Sequence, residues 1–383
     1  MFKSVLSLTL AAALGTASFG QTTLTAIPGE AAAAKYASIS QEILRAIEKG
    51  NEYLKSKQNP EGYWAQPSYP ALTALAVTAY MRDPANQGKP VPEYIRKGYD
   101  FILKSQKEDG SIFNRGMSSY NTAVCMMALL AANKEEYAPA ILKGRAYLIK
   151  QQNHFAPDNP YNGGIGYGDK QAPPIADLSN TSLALEAIYY SQKLAKDGKY
   201  GEQPDLDWNA ATEFINRCQQ NPAVNKEPWV SNDKSQLGGF VYRPGVSSAR
   251  DKKSAAFDKA EPPKAYGSMT YAGMQSLIYA NVDKNDPRVK LALKWLENSY
   301  SLDENPGMGV QGLYYYYQAM SKALSAMGID TLTLENGRKV DWRDELANKL
   351  ISIQKSDGSW VNTNNRWWEA DPVLVTSYCV LAL

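Results

Sequence analysis

Gln354-Lys355-Ser356-Asp357-Gly358-Ser359-Trp360 lies between two helix-forming runs near the end of the chain, Trp342–Ile353 before it and residues 373–383 after it. The unit recurs upstream as Gln106-Lys107-Glu108-Asp109-Gly110-Ser111-Ile112-Phe113 and as Gln58-Asn59-Pro60-Glu61-Gly62-Tyr63-Trp64. In all three the Gly lies four positions after the Gln, and an aromatic follows the Gly by two or three. A supersecondary unit repeated in this way sets the architecture before any single residue does. The residue types explain the spacing. The Gln amide ties its loop to a neighbouring backbone group, the Gly permits φ > 0 at the turn, and the aromatic stacks on the next hairpin. These roles are structural, not catalytic.

Working outward, every such loop is flanked by a striped helix and a more apolar one. Ile43, Ile47 and Leu54 form one face of a helix that starts near Ser40, and residues 71–81 then read as apolar nearly all round. The alternation continues through residues 95–103 and 122–132, 141–151 and 180–190, 208–219 and 268–280, 288–300 and 311–327, and the final pair. Six hairpins of this kind predict an all-α fold, an (α/α)6 toroid with the buried helices inside and the amphipathic ones outside. An open solenoid of helix pairs is the alternative, but neither end shows a polar capping repeat. A single toroid domain is expected over residues 40–383. A polar insertion at 222–264, rich in Lys, Pro and Ser, interrupts the fourth unit and has the length of a lid. Gly238-Gly239-Phe240-Val241-Tyr242 within it reads as a degenerate fourth loop.

The loops resemble the QW repeats of the squalene–hopene cyclase and protein prenyltransferase β-subunit superfamily. The resemblance rests on Tyr53-Leu54 with Gln58, Gly62, Tyr63 and Trp64; on Phe101 with Gln106, Gly110 and Phe113; and on Leu350 with Gln354, Gly358 and Trp360. Copies three and four are looser, and the fifth lacks the Gln. The resemblance spans about residues 40 to 383 and implies the terpenoid-cyclase toroid. Since one fold hosts many activities, it says less about chemistry.

Composition narrows the classes. The 383 residues carry a net charge of +2, too small to suggest a nucleic-acid partner. There are 25 Tyr and 8 Trp against 8 Phe, a skew that suits an amphipathic cavity as well as core filling. One His and three Cys provide neither a His-based metal site nor a disulfide framework, and no cofactor is expected. Cys125 and Cys379 sit in apolar runs as small hydrophobes. At the N-terminus, Lys3, an apolar stretch over residues 5–14 and Ser18-Phe19-Gly20 read as a signal peptide over residues 1–20. A linker follows at 21–39, and a secreted or periplasmic protein is expected. No segment approaches the roughly 18 charge-free apolar residues of a membrane span.

In toroids of the resembled superfamily the cavity lies within the inner ring, and reactive groups gather where inner helices begin. Those starts therefore supply the candidates. Asp177-Leu178-Ser179-Asn180-Thr181 resembles the D-x-D-D-T sequence of protonating terpene cyclases, whose middle Asp is the acid. Asp177 and Thr181 match, but Ser179 and Asn180 replace the two other carboxylates, and Ser cannot protonate an alkene. Asp177 and Asn180 also have the chemistry of helix caps. Nothing matches the Asp, Cys and His of the zinc prenyltransferases. Glu369 and Asp371, beside Trp367 and Trp368, could divide into acid and base, and Asp371-Pro372 equally reads as a helix start. Tyr271 is a further catalytic candidate, as a base toward an acidic sugar. Tyr120, Asn121, Asn180, Tyr314, Tyr315, Trp367 and Trp368 are the expected ligand contacts. Three functions follow: a terpene-cyclase-like toroid with an apolar, isoprenoid-like ligand in an aromatic cavity; a carbohydrate-active toroid acting on a glycan through Glu369, Asp371 or a Tyr; and a non-catalytic binding scaffold. A cyclase- or transferase-like enzyme is favoured on the resemblance alone.

Overall fold

A computed structural model describes residues 39–168, 175–249 and 262–383. The signal-peptide reading, nearly all of the linker and residues 250–261 of the insertion lie outside the described residues. Among the described residues, twelve helices of ten residues or more alternate between two layers. The outer helices are α1 (Ser40–Ser56), α3 (Glu93–Lys104), α5 (Ala138–Lys150), α7 (Trp208–Cys218), α9 (Pro287–Asn298) and α11 (Trp342–Ile353). The inner ones are α2 (Pro70–Arg82), α4 (Ser118–Ala131), α6 (Leu178–Tyr190), α8 (Gly267–Tyr279), α10 (Leu313–Met327) and α12 (Pro372–Ala382).

The sequence pattern explains the two layers. An outer helix such as α1 buries one stripe, with Ala46, Ile47, Gly50 and Leu54 turned inward. An inner helix touches an inner neighbour on each side, and several pack most on the outer helix that follows, as α2 does on α3 and α12 on α1. In α2 every residue from Pro70 to Ala79 is buried. Each inner helix packs on the next around the ring, and α12 packs back against α2. The ring is therefore closed, which decides between the toroid and the open solenoid.

The repeated loops are the stitches of this ring. Gln58, Gln106, Gln152, Gln219 and Gln354 each donate the side-chain amide twice. One bond goes to the carbonyl of the glycine in the same loop, Gly62, Gly110, Gly163, Gly238 or Gly358. The other, at 2.7–2.9 Å, goes to the first part of the next outer helix or its cap: Tyr94, Ala140, Asp207, Arg288 and, across the closure, Ala46. Gln152 and Gln219 precede their glycines by 11 and 19 residues, so a four-residue spacing does not reveal them. In the fifth loop Asn305 takes over, accepting from the Ser268 backbone N–H and donating to the Gln311 carbonyl.

A second stitch comes from the inner helices. Backbone N–H groups of Trp64, Ile112, Ile165, Phe240 and Trp360 donate to the hydroxyls of Thr73, Thr122, Thr181, Thr270 and Thr376 at 2.8–3.1 Å. Thr181 is thus one of five equivalent threonines. Its place in the D-x-D-D-T-like stretch follows from the repeat. Trp64 and Trp360 complete the loops, each donating its indole N–H to the preceding outer helix, at Leu54 and Leu350.

The sequence reading did not anticipate one element. Between α10 and α11, β1 (Thr331–Thr333) pairs antiparallel with β2 (Lys339–Asp341), with Leu332 opposite Val340 and both buried. The strands are three residues each, too short for an alternation to register.

Candidate functional site

The inner ring encloses a cavity of about 660 Å³. Its residues come from along the inner helices, from Tyr120 and Tyr315 in the first turns of α4 and α10 to Arg82, Tyr190 and Tyr279 at the C-terminal ends of α2, α6 and α8, and from the N-terminal turns of α1 and α11. Leu75, Val124, Met127, Leu183 and Ile278 make apolar walls, and Tyr120, Tyr315 and Tyr378 add phenols to the lining. There Tyr378 is hydrogen-bonded to Tyr120, Tyr315 to Ser179, and the rings of Tyr315 and Tyr378 are 6.0 Å apart. Burial pushes all three hydroxyls above the usual phenol range. Tyr189, Tyr190 and Tyr279 pack together near the opposite end, with ring centroids 5.2–5.7 Å apart.

The charged side chains lining the cavity are Arg82, Glu186, Lys322 and Arg343. Glu186 on α6 and Lys322 on α10 form an ion pair across the ring at 2.5 Å, with Glu186 almost fully buried. Removing one partner of such a pair leaves an uncompensated charge. Lys322→Met is expected to destabilise the fold by about 2 kcal/mol, a value reduced for the partial exposure of Lys322. Adding Glu186→Leu should restore most of the loss, and urea unfolding of the single and double variants measures both.

The structure separates the residues singled out in the sequence. Tyr120 and Tyr315 line the cavity. Asp177 caps α6, its carboxylate accepting from the Asn180 backbone and side-chain N–H groups, both at 2.8 Å. Burial raises its pKa to about 6, against the opposing pull of the Asn180 and Tyr242 hydrogen bonds and the Arg243 charge. Asn180 holds that carboxylate with its amide nitrogen, and Asn121 accepts from the Ala71 N–H, joining the starts of α2 and α4. Tyr271 is completely buried against Tyr316 between the layers, outside the cavity lining. Tyr314 donates to the Val361 carbonyl.

Glu369 is 1% exposed and serves a neighbouring helix. One carboxylate oxygen accepts from the Tyr315 N–H at 2.8 Å and the other from the Asn362 amide at 2.6 Å. It caps α10, whose own N-cap, Gly312, has no side chain to offer. Burial raises the Glu369 pKa, partly countered by these N–H groups. Asp371 caps α12 by accepting from Val373 N–H. The two carboxylates therefore serve two different helix starts and do not line the cavity. Trp367 and Trp368 lie on the surface, 45% and 42% exposed, with Trp368 against Tyr69 and Arg366 stacked on Trp367.

The zinc set of a protein prenyltransferase has no counterpart in the geometry. Among the described residues no three His, Cys, Asp or Glu side chains converge, and burial pushes the thiols of Cys125, Cys218 and Cys379 upward, against thiolate formation. Sequence reading missed Arg82, Glu186, Gln275, Lys322 and the Tyr189–Tyr190–Tyr279 cluster because it searched helix starts. The signal was present: Glu186 and Lys322 are charges inside otherwise apolar inner helices.

No protein-family model matches the chain. Its structure is similar to that of the type II terpene cyclase MstE from Scytonema in complex with geranylgeranyl dihydroxybenzoate, with a TM-score of 0.51 and 10% identity over 89% of this chain and 96% of the cyclase. It is similar to Candida albicans protein geranylgeranyltransferase-I complexed with GGPP, with a TM-score of 0.52 and 13% identity over 88% of this chain and 89% of that one. A protein from Actinoplanes matches at a TM-score of 0.50 and 13% identity, over 89% and 98% of the two chains. With its closed ring of six helical hairpins, the chain has the fold of the terpene cyclase and prenyltransferase superfamily.

Proposed function

We propose that the protein binds an apolar, isoprenoid-like small molecule in its central cavity and acts outside the cytoplasm. The observation that carries the first part is the cavity itself. Its volume of about 660 Å³ suits a ligand of some twenty carbons. Much of its wall is aliphatic, Tyr120, Tyr315 and Tyr378 add a cluster of phenols, and its buried Glu186 is neutralised by Lys322. Two solved structures of the same fold carry geranylgeranyl compounds, which supports this class of ligand. The order of basic, apolar and small residues at the N-terminus supports export, and no helix among the described residues is long and apolar enough to cross a membrane.

The proposal is for binding and does not extend to alkene protonation, because the stretch Asp177 to Thr181, which resembles D-x-D-D-T, carries Ser179 in place of the acid. The carbohydrate alternative needs Glu369 and Asp371 as a facing acid and base, and both are committed to helix N-termini. Geranylgeraniol titrated into the protein, followed by calorimetry, tests the reading. Met127→Trp fills the cavity from its wall and is expected to weaken binding by tenfold or more, about 1.4 kcal/mol. Saturable binding that survives this substitution unchanged would place the ligand elsewhere. Mass spectrometry of lipids retained through purification provides an unbiased check.

A further inference from the structure

The cavity is not uniformly apolar. At the C-terminal ends of α2, α6 and α8, Arg82, Tyr190, Gln275 and Tyr279 converge on its lining. Gln275 donates its amide N–H to the Tyr279 hydroxyl at 2.6 Å, and the Tyr279 and Tyr190 hydroxyls are hydrogen-bonded to each other. Tyr190 packs edge to face on Tyr279, with ring centroids 5.7 Å apart, and carries its phenol on the same lining. Beside it, Arg82 forms no hydrogen bond or ion pair with any described residue. The other charges facing the cavity are occupied: Lys322 holds Glu186, and Arg343 holds Asp330 and stacks on Trp342. Asp83, next to Arg82 in the chain, turns away to Asn51 and Asn86. Arg82 and Glu186 both act electrostatically on Tyr190, so these groups share one neighbourhood.

An unpaired guanidinium next to a phenol hydroxyl, at the border of a partly desolvated cavity, lacks one thing: an anionic acceptor. We propose that Arg82 and Tyr190 bind the anionic head group, a carboxylate or a phosphate, of an amphiphile whose apolar tail fills the cavity. The proposal rests on the binding function given above and adds the class of ligand. The tail lies among Val124, Met127 and Leu183, with its far end at Tyr120, Tyr315 and Tyr378. The head lies at the C-terminal ends of the inner helices, the end opposite to Asp177 and Ser179.

Three compounds with one tail and different heads test it: farnesol, farnesoic acid and farnesyl monophosphate, each titrated into the whole protein by calorimetry. Tenfold or tighter binding of at least one anion over farnesol is expected, and which anion is preferred identifies the head group. Arg82→Met should bring the anions to the level of farnesol without changing farnesol itself, Arg82→Lys should retain much of the preference, and Tyr190→Phe should reduce it severalfold. Equal binding of all three compounds, or a preference that Arg82→Met leaves intact, overturns the head-group site while sparing the apolar cavity reading. Binding of none of them overturns both. Thermal unfolding of each variant shows whether the fold is retained, and a preference lost in Arg82→Met but kept in Arg82→Lys excludes a merely structural effect.

Discussion

Gly358→Ala is expected to destabilise the ring by about 3 kcal/mol or more. Two independent effects converge at this position. Its φ is +86°, a conformation that an L side chain adopts only under strain, and a Cβ there would lie 2.4 Å from the Lys49 carbonyl oxygen on α1. The backbone of the closing loop lies directly on the first outer helix, so neither partner can move without opening the joint between the last hairpin and the first. Gly337 separates the two effects. It also has positive φ, +81°, but has open space around it in the β1–β2 turn. Gly337→Ala should lose only about 1 kcal/mol, from backbone strain alone. Denaturant unfolding of both variants gives the comparison. Similar losses at the two positions would show that the close approach to Lys49 does not matter.

Asp177→Asn is expected to remove a pH dependence of stability worth about 3 kcal/mol. The Asp177 pKa is raised by burial to about 6, from a model-peptide value of 3.8. Below the unfolded value, both states are protonated and burial carries no charge penalty. As pH rises from about 4 to about 6, the unfolded chain loses its proton while the folded one retains it, so stability falls through that window and then levels off. Asparagine keeps the cap, since it accepts from the Asn180 N–H as well as aspartate does. The Asn180 side-chain oxygen, which has no hydrogen-bond partner in the native arrangement, can turn to accept the new amide N–H. The variant should therefore match the native protein near pH 4 and exceed it near pH 7. Unfolding midpoints across this range decide the matter, and a native profile that is flat between pH 4 and 6 would rule out a buried, raised carboxyl at this site. Glu369, also raised by burial, adds a change of the same sign and remains in the variant as a residual slope.

Both predictions rest on motifs visible in the sequence, and they show how far such reading goes. Gln354, Gly358 and Trp360 could be given roles directly, because an amide donor, a positive φ and an indole act on near neighbours in the chain. The third and fourth stitches were harder to see. Gln152 and Gln219 perform the same function, but long loops separate them from Gly163 and Gly238. Asp177 was legible as a cap for the same local reason: its partner, Asn180, is three residues away. Glu369 was not. The backbone it caps belongs to Tyr315, 54 residues earlier in the chain, and no spacing rule connects them. The adjacent tryptophans looked like a cavity wall because they precede an inner helix. Trp367 and Trp368 instead both adopt positive φ and turn onto the surface.

The sequence by itself determined six hairpins, the division of helices into inner and outer, and the joints at Gln58, Gln106 and Gln354. Stripes on the outer helices and loop residues acting over a few positions suffice for that. Only the tertiary structure decided that the ring closes, where its cavity lies and which polar groups line it. The inner helices are apolar almost all round, so periodicity does not tell which side meets a neighbour and which meets the void. That side is set when α12 returns to α2, and with it the placement of Arg82, Glu186 and Lys322 on the cavity wall.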